Sequence, residues 1–318
     1  MKWPGTADIH SDGFMAGTGV LVVEWPLVIG VDASGVVVEA GEEAESKYGL
    51  RPGTYVCGCT RLGMTEYAAG QEYFLMDAAV TVPKPTNIDT VQASTLGVGI
   101  ETAALCIFEG LEVELVDPEN LPTQKEEWAI VFGGASSVGS FAIQLLRASG
   151  YKVLASCSTR SAEAVKAFGA EVFDYKNSVE EQLEKVIELT NGDIIGIFDA
   201  VAGDDPVLAK ELFKHESMKT KRKLFATTND WSGIEDFEGG KSYKVELGPI
   251  GRPEADGLNQ TLEKYIPVLV KLVENGTIKV GDYEVIGDGG VEDIVKAYKH
   301  KAQGASGPRK VVAKVQDE

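Results

Sequence analysis

Between residues 99 and 245, short apolar segments alternate with amphipathic ones, and this alternation constrains the fold more than any other feature of the chain. Trp128-Ala129-Ile130-Val131-Phe132 reads as a short apolar strand. After a Gly/Ser turn, Val138, Phe141, Ala142, Leu145 and Leu146 recur at the helical period, up to a stop at Gly150. Lys152-Val153-Leu154-Ala155 is the next strand, followed by a helix from near Ser161 to Gly169 and a short strand at Glu171-Val172-Phe173. Ser178 and Glu181 have the spacing of a capping box ahead of Val179, Leu183, Val186 and Ile187. Strands at Ile194–Phe198 and Lys223–Ala226 complete the series. Apolar strands separated by amphipathic helices imply a parallel sheet covered on both faces.

The flanks read differently. Residues 1–98 are rich in Gly and β-branched residues, with strands expected at Leu21-Val22-Val23 and Gly35-Val36-Val37-Val38-Glu39, and the region reads as mostly β. Residues 246–318 hold a long helix with Leu262, Tyr265, Ile266, Leu269, Leu272 and Val273 on one face, stopping at Gly276. A second helix over 291–302 and a strand at Lys310–Ala313 follow. The polar, Gly-rich segment 229–260 is read as a surface excursion, with a loop near an active site as the alternative. The expected fold class is α/β: a doubly wound domain over 99–245 and a β-rich domain built from 1–98 and 246–318. A length of 318 residues suits two domains.

The 49 acidic residues outnumber the 30 basic ones, for a net charge of −19, a field that repels phosphate backbones and anionic lipids. Nucleic acid and membrane are therefore poor partners. No apolar run approaches the ~18 residues of a membrane span, and Met1-Lys2-Trp3-Pro4-Gly5 opens no signal peptide, so the expected compartment is the cytoplasm. Cys57, Cys59, Cys106 and Cys157 are expected to be reduced and mostly buried. Cys57-Gly58-Cys59 is too tightly spaced for a zinc ribbon and has no second pair, so no metal is expected.

Chemistry concentrates in Val131-Phe132-Gly133-Gly134-Ala135-Ser136-Ser137-Val138-Gly139-Ser140, which lies between a strand and a helix. A helix N-terminus offers unpaired N–H groups and a positive dipole end to a pyrophosphate, and small residues let it come close. The pattern Gly133-x-x-Ser136-x-x-Gly139 puts serine where glycine is usual. Its Cβ either crowds the pyrophosphate or brings a hydroxyl that donates to it. The other reading of the motif is a Gly-rich turn that binds nothing. NAD sites place an acid at the end of the second strand, but here that strand runs into Ser156-Cys157-Ser158-Thr159-Arg160. Hydroxyls and an arginine suit a 2′-phosphate, so NADPH is the expected cofactor. Glu163, at the start of the next helix, is the residue that argues for a bare ribose.

At this point a resemblance emerges. Pro26-Leu27-Val28-Ile29-Gly30-Val31-Asp32-Ala33-Ser34-Gly35-Val36-Val37 resembles the P-x-x-x-G-x-D-x-x-G-x-V stretch of the medium-chain dehydrogenase/reductase superfamily. Arg51-Pro52-Gly53-Thr54-Tyr55-Val56 resembles its G-D-x-V turn, with Thr54 in place of Asp. Gly99-Ile100-Glu101-Thr102-Ala103-Ala104-Leu105 resembles its entry helix, and Phe168-Gly169-Ala170-Glu171-Val172-Phe173-Asp174-Tyr175 its G-A-x-x-V-x-D-Y segment. Asp199-Ala200-Val201 and Ser306-Gly307-Pro308-Arg309-Lys310-Val311-Val312 match later landmarks. The likeness implies a GroES-like catalytic domain and a Rossmann domain. Zinc alcohol dehydrogenases carry G-H-E where this chain has Gly30-Val31-Asp32 and have a four-cysteine lobe that it lacks, which places it beside the zinc-free branch. Within that branch it resembles quinone oxidoreductases and, more closely, the ToxD-like trans-acting enoyl reductases of fungal polyketide synthesis. The family pattern has strands before the stretch that Met1-Lys2-Trp3 enters, so a late start is expected.

The resemblance implies hydride transfer from NADPH to the β-carbon of an activated C=C bond, with protonation at the α-carbon. It assigns the pyrophosphate to Ala135, Ser136, Ser137, Val138 and Gly139, and the 2′-phosphate to Ser158, Thr159, Arg160 and Tyr175. Val201, Thr227 and Arg309 complete the cofactor set, and Thr102 lies near the nicotinamide. Tyr67 and Tyr73 are candidate proton donors, each with the alternative of a packed aromatic. Three readings stay open: an enoyl-thioester or enone reductase, a quinone reductase, and a non-catalytic NADPH-binding protein. The partners implied are a small or carrier-bound enoyl substrate and a polyketide synthase, with the chain a monomer or homodimer.

Overall fold

The computed structural model describes residues 6–8, 10–203, 206–219, 222–229, 239–304 and 309–316, with side chains from Asp12 onward. The chain forms two compact units, Met1–Glu101 with Leu247–Glu318, and Thr102–Glu246.

The first segment of the first unit carries strands β1 (Thr6–Asp8), β2 (Asp32–Val36), β3 (Tyr55–Cys59) and β4 (Val82–Pro83). Helices α1 (His10–Thr18), α2 (Glu42–Tyr48), α3 (Thr90–Ala93) and α4 (Gly97–Ala104) lie between or after them. Strands β2, β3 and β4 form an antiparallel sheet with Asp32 opposite Cys59 and Val56 opposite Pro83. The reading of this region as mostly β needs correcting, because helices interrupt it and its strands are short. Leu21-Val22-Val23 is not a strand. It follows a glycine turn at Gly19 (φ +73°), and Leu21 itself has φ +64°. The N–H of Val23 donates to the carbonyl of Gly63 at 3.0 Å, and the Val23 side chain stays exposed. Three β-branched or aliphatic residues make a strand only where a partner edge runs beside them. The strand expected over 35–39 instead ends at Val36.

The second unit holds β5 (Trp128–Phe132), β6 (Lys152–Cys157), β7 (Glu171–Asp174), β8 (Ile194–Asp199), β9 (Lys223–Thr227) and β10 (Gly240–Lys244). Helices α5 (Ser137–Ala148), α6 (Ala162–Ala167), α7 (Val179–Thr190) and α8 (Val207–Lys214) alternate with them. All pairings are parallel, in the order β10-β9-β8-β5-β6-β7. The order reverses at β5, and the crevice beyond the carboxyl ends of β5 and β8 is where open α/β sheets bind ligands. Ile130, Leu154, Ile197 and Phe225 are fully buried, which is why these strands read as apolar runs. Both arms of the capping box form at Ser178 and Glu181. Strand β10 falls inside the segment expected to be a surface excursion. Its sequence, Gly-Lys-Ser-Tyr-Lys, is polar because an edge strand pairs on one side only. Residues 230–238 of that segment lie outside the described residues.

The chain returns to the first unit with α9 (Asp256–Glu274), β11 (Tyr283–Ile286), α10 (Val291–Ala302) and β12 (Lys310–Lys314). The six apolar residues expected on one face of α9 are all buried. Strand β12 pairs antiparallel with β1 and parallel with β11. None of the described helices is long and apolar enough to cross a membrane.

Candidate cofactor site

The turn between β5 and α5 has two glycines and the first turn of α5 a third, and each is held by close packing. Gly133 has φ +77°, and a Cβ there would come within 2.6 Å of Val201 Cγ2. A Cβ on Gly134 would meet Ala155 Cβ at 2.8 Å, and one on Gly139 would run into the carbonyl oxygen of Gly133. The Gly133 N–H donates to Ser156 Oγ at 2.9 Å and the Gly134 N–H to the Ser156 carbonyl at 2.9 Å, which ties the turn to β6. Ser136 is the N-cap of α5, its Oγ accepting from the Gly139 N–H at 2.9 Å. The serine that replaces the usual glycine therefore caps the helix, and its own proton stays available. Ser137 Oγ is buried and has no hydrogen-bond partner among the described residues. An orphaned hydroxyl in the first turn of a helix, beside amides that have no intrahelical acceptor, suits a pyrophosphate. On that observation the residues present fit a dinucleotide.

At the tip of β6, Ser158 Oγ lies 3.3 Å from Ser161 Oγ. Thr159 Oγ1 donates to Asp174 Oδ2 at 2.7 Å, and the N–H of Lys176 donates to Asp174 Oδ1 at 2.9 Å. The Lys176 amide and the Thr159 hydroxyl hold the Asp174 carboxyl below the usual range. Arg160 is exposed, and Tyr175 is 55% exposed. The carboxylate missing from the end of β6 is thus supplied sideways, because the parallel register sets Asp174 opposite Cys157.

Beyond β8 the polar chemistry centres on Asp199, a residue that sequence reading treated only as a landmark. Asp199 is buried, and burial raises its pKa. Its Oδ1 accepts from the Val201 N–H at 2.9 Å, and its Oδ2 from the Gly203 N–H and Thr227 Oγ1, each at 3.1 Å. Thr227 is fully buried and its Oγ1 also accepts from the Asn229 N–H at 3.1 Å, so its hydroxyl holds the ends of β8 and β9 together. Val201, 63% exposed, lies over Gly133. Thr102 is buried. The second unit thus gathers the glycine turn, the β6 tip and the ends of β8 and β9 at one sheet edge.

Tyr67 and Arg309 lie in the first unit. The Tyr67 ring carries the Arg61 guanidinium 4.3 Å from its centroid, and Arg61 Nε donates to Asp77 Oδ2 at 2.7 Å. Burial, followed by the Asp77 charge, raises the Tyr67 pKa. Tyr73 is 52% exposed. Arg309 pairs with Glu284 at 2.8 Å. Residues 305–308, which include Ser306-Gly307-Pro308, lie outside the described residues, as do Met1-Lys2-Trp3. Also in this unit is a buried polar cluster that the sequence did not reveal. Asp32 pairs with Lys310 at 2.9 Å and accepts from the Val98 N–H at 2.6 Å. Glu101, fully buried, accepts from the Cys59 N–H at 3.4 Å through Oε1. All four cysteines are free and buried, and burial pushes the Cys57 and Cys59 thiols up. Among the described residues, no three His, Cys, Asp or Glu side chains are grouped to hold a metal ion.

A doubly wound sheet with a glycine turn at its switch point, and a first unit of short strands interrupted by helices, define the class. The chain is an oxidoreductase with the medium-chain dehydrogenase/reductase fold. No family model matches the chain. It resembles the trans-enoyl reductase pvhC of Talaromyces variabilis, with 29% identity over 289 residues covering 84% of this chain and 76% of that protein. It also resembles the trans-enoyl reductase TwmE of Talaromyces wortmannii, with 28% identity over 322 residues, covering 90% and 83%. An alcohol dehydrogenase superfamily protein from Novosphingobium aromaticivorans has the same fold, with a TM-score of 0.75 and 21% identity, covering 98% of this chain and 90% of that one. So does a mycobacterial protein solved in complex with NADPH, with a TM-score of 0.71 and 16% identity, covering 99% and 90%.

Proposed function

We propose that this chain is a zinc-independent, NADPH-dependent enoyl reductase that acts on a carrier-bound enoyl thioester in trans to a polyketide synthase. The orphaned Ser137 hydroxyl in the first turn of α5 is the observation that carries the cofactor half of this reading. The relatives named trans-enoyl reductases support the substrate half. A bound nicotinamide cofactor supplies the hydride. Ser137 Oγ and the amides of Ala135 through Gly139 bind and orient the pyrophosphate, with Ser136 as cap. Ser158, Thr159 and Arg160 flank the 2′-phosphate, and Tyr175 covers the adenosine. Val201 lies over the turn, and Thr227, through Asp199, keeps the β8 and β9 ends in place. Arg309 and Thr102 complete the proposed set. Tyr67 and Tyr73 are the proposed donors for protonation of the α-carbon, each through its phenol.

The test is titration of the full chain with NADPH and NADH, followed by nicotinamide fluorescence, on the native chain and on Arg160→Ala. Loss of one charge-assisted phosphate contact is expected to weaken NADPH by about tenfold and leave NADH within about twofold. An equal loss for both cofactors sinks the 2′-phosphate assignment. Turnover of an enoyl thioester but not of a quinone separates this reading from a quinone reductase.

A further inference from the structure

The carboxylate of Asp174 sits at the proposed adenosine end of the cofactor, and none of the roles above uses it. We infer that Asp174 is a specificity-determining residue that holds down the preference for NADPH over NADH, by drawing the Thr159 hydroxyl proton away from the 2′-phosphate and placing a negative charge beside it. This rests on the 2′-phosphate reading of the β6 tip.

The geometry supports it in three ways. First, the register of β6 with β7 sets Asp174 opposite Cys157, one strand over from the residue where NAD sites carry their acid. Second, Thr159 has a single hydroxyl proton and gives it to Asp174 Oδ2 at 2.7 Å. In that state Thr159 presents only lone pairs to an incoming phosphate. Third, the Lys176 N–H at 2.9 Å fixes the other carboxylate oxygen, so the group is held in place and ionised at neutral pH. The exposed Arg160, next in sequence to Thr159, attracts a 2′-phosphate, while Asp174 repels it. A chain built this way discriminates between the two cofactors less than its arginine alone would allow.

Asp174→Asn separates these effects and keeps one bond of the turn, because the amide oxygen still accepts from Lys176, while the Thr159 N–H, which also bonds the Asp174 carboxyl, loses an anionic acceptor. The amide nitrogen then faces Thr159 Oγ1, donates to it and releases its proton. NADPH, NADH and the fragments 2′,5′-ADP and 5′-AMP are titrated against the full chain. Asp174→Asn is expected to tighten NADPH and 2′,5′-ADP by about fivefold, the scale of one exposed charge, and to leave NADH and 5′-AMP within about twofold. The gain is expected to shrink in high salt. The double variant Thr159→Val/Asp174→Asn, which has no hydroxyl proton to release, is expected to show a smaller gain in NADPH affinity than Asp174→Asn alone. An undiminished gain there would overturn the inference. So would an Asp174→Asn variant that binds NADPH no better, one that loses NADH and 5′-AMP selectively, or a gain indifferent to salt. Failure of the underlying reading looks different: Arg160→Ala would then weaken 2′,5′-ADP and 5′-AMP alike, whatever Asp174→Asn does.

Discussion

Lys310→Met is expected to destabilise the first unit by about 3–5 kcal/mol, the usual effect of removing one partner from a buried ion pair. Asp32 is 1% exposed and its carboxylate lies 2.9 Å from Lys310 Nζ, which joins the strand β2 to β12 across 278 positions of sequence. A methionine fills the same volume but leaves a buried negative charge facing apolar side chains. The Val98 N–H remains as a hydrogen-bond donor to Asp32, and an amide does not replace an ammonium. Lys310→Arg keeps the charge and is expected to recover most of the loss. Denaturant unfolding of the full chain measures this, and a loss below about 1 kcal/mol for Lys310→Met would contradict the buried-pair account. The resemblance gives the position added interest: Asp32 stands where the zinc branch carries the glutamate of G-H-E, and here it is matched by a lysine.

Glu101→Gln is expected to do the opposite, stabilising the chain by about 1–3 kcal/mol at pH 8, the scale of an unsatisfied buried polar group. Glu101 is fully buried, its Oε2 has no hydrogen-bond partner among the described residues, and its one bond, from the Cys59 amide, is long. Burial first, and then the nearby Asp32 charge, raises its pKa well above 4.5. A raised folded value fixes the sign. The stability the neutral carboxyl contributes is fully present below about pH 4.5, the unfolded value, and is lost as pH rises toward the folded one. Glutamine copies the neutral acid at every pH. Glu101→Gln should therefore match the native chain near pH 4 and gain on it steadily above that. Thermal melts at pH 4, 6 and 8 read this out, with an expected rise of a few degrees at pH 8. A gain that is the same at all three values would show that ionisation is not its cause. Both substitutions act on the surroundings of Asp32, so the double variant is expected to be non-additive.

Much of the second unit was legible from sequence for a local reason. A strand in the middle of a parallel sheet is buried on both faces, so Trp128–Phe132, Ile194–Asp199 and Lys223–Thr227 had to be apolar runs. Their helices needed only one apolar face and a cap, and Ser178 with Glu181 announced one start directly. Strand β10 escaped because an edge strand buries little and its polar residues carry no such mark. The first unit was harder to read for a similar reason. Leu21-Val22-Val23 has strand-like residues, but a strand needs a neighbour, and the positive φ at Gly19 and Leu21 turns the chain away from one.

The candidate site divides along the same line. The strand–turn–helix order around Gly133 and the cap at Ser136 are local, and the sequence determined them. So were the apolar faces of α5 and α9, which follow from the helical period. What Thr159 does with its proton, what the Thr227 hydroxyl holds, and which cation answers Asp32 were decided by tertiary structure alone. Each depends on a partner that strand register or chain return brings from afar: Asp174 across β6 and β7, Asp199 across β8 and β9, and Lys310 from the last described strand. Local periodicity records which face of an element is dry. It does not record which polar groups meet when two elements are laid side by side, because that depends on the register between them, and a shift of one residue changes every partner.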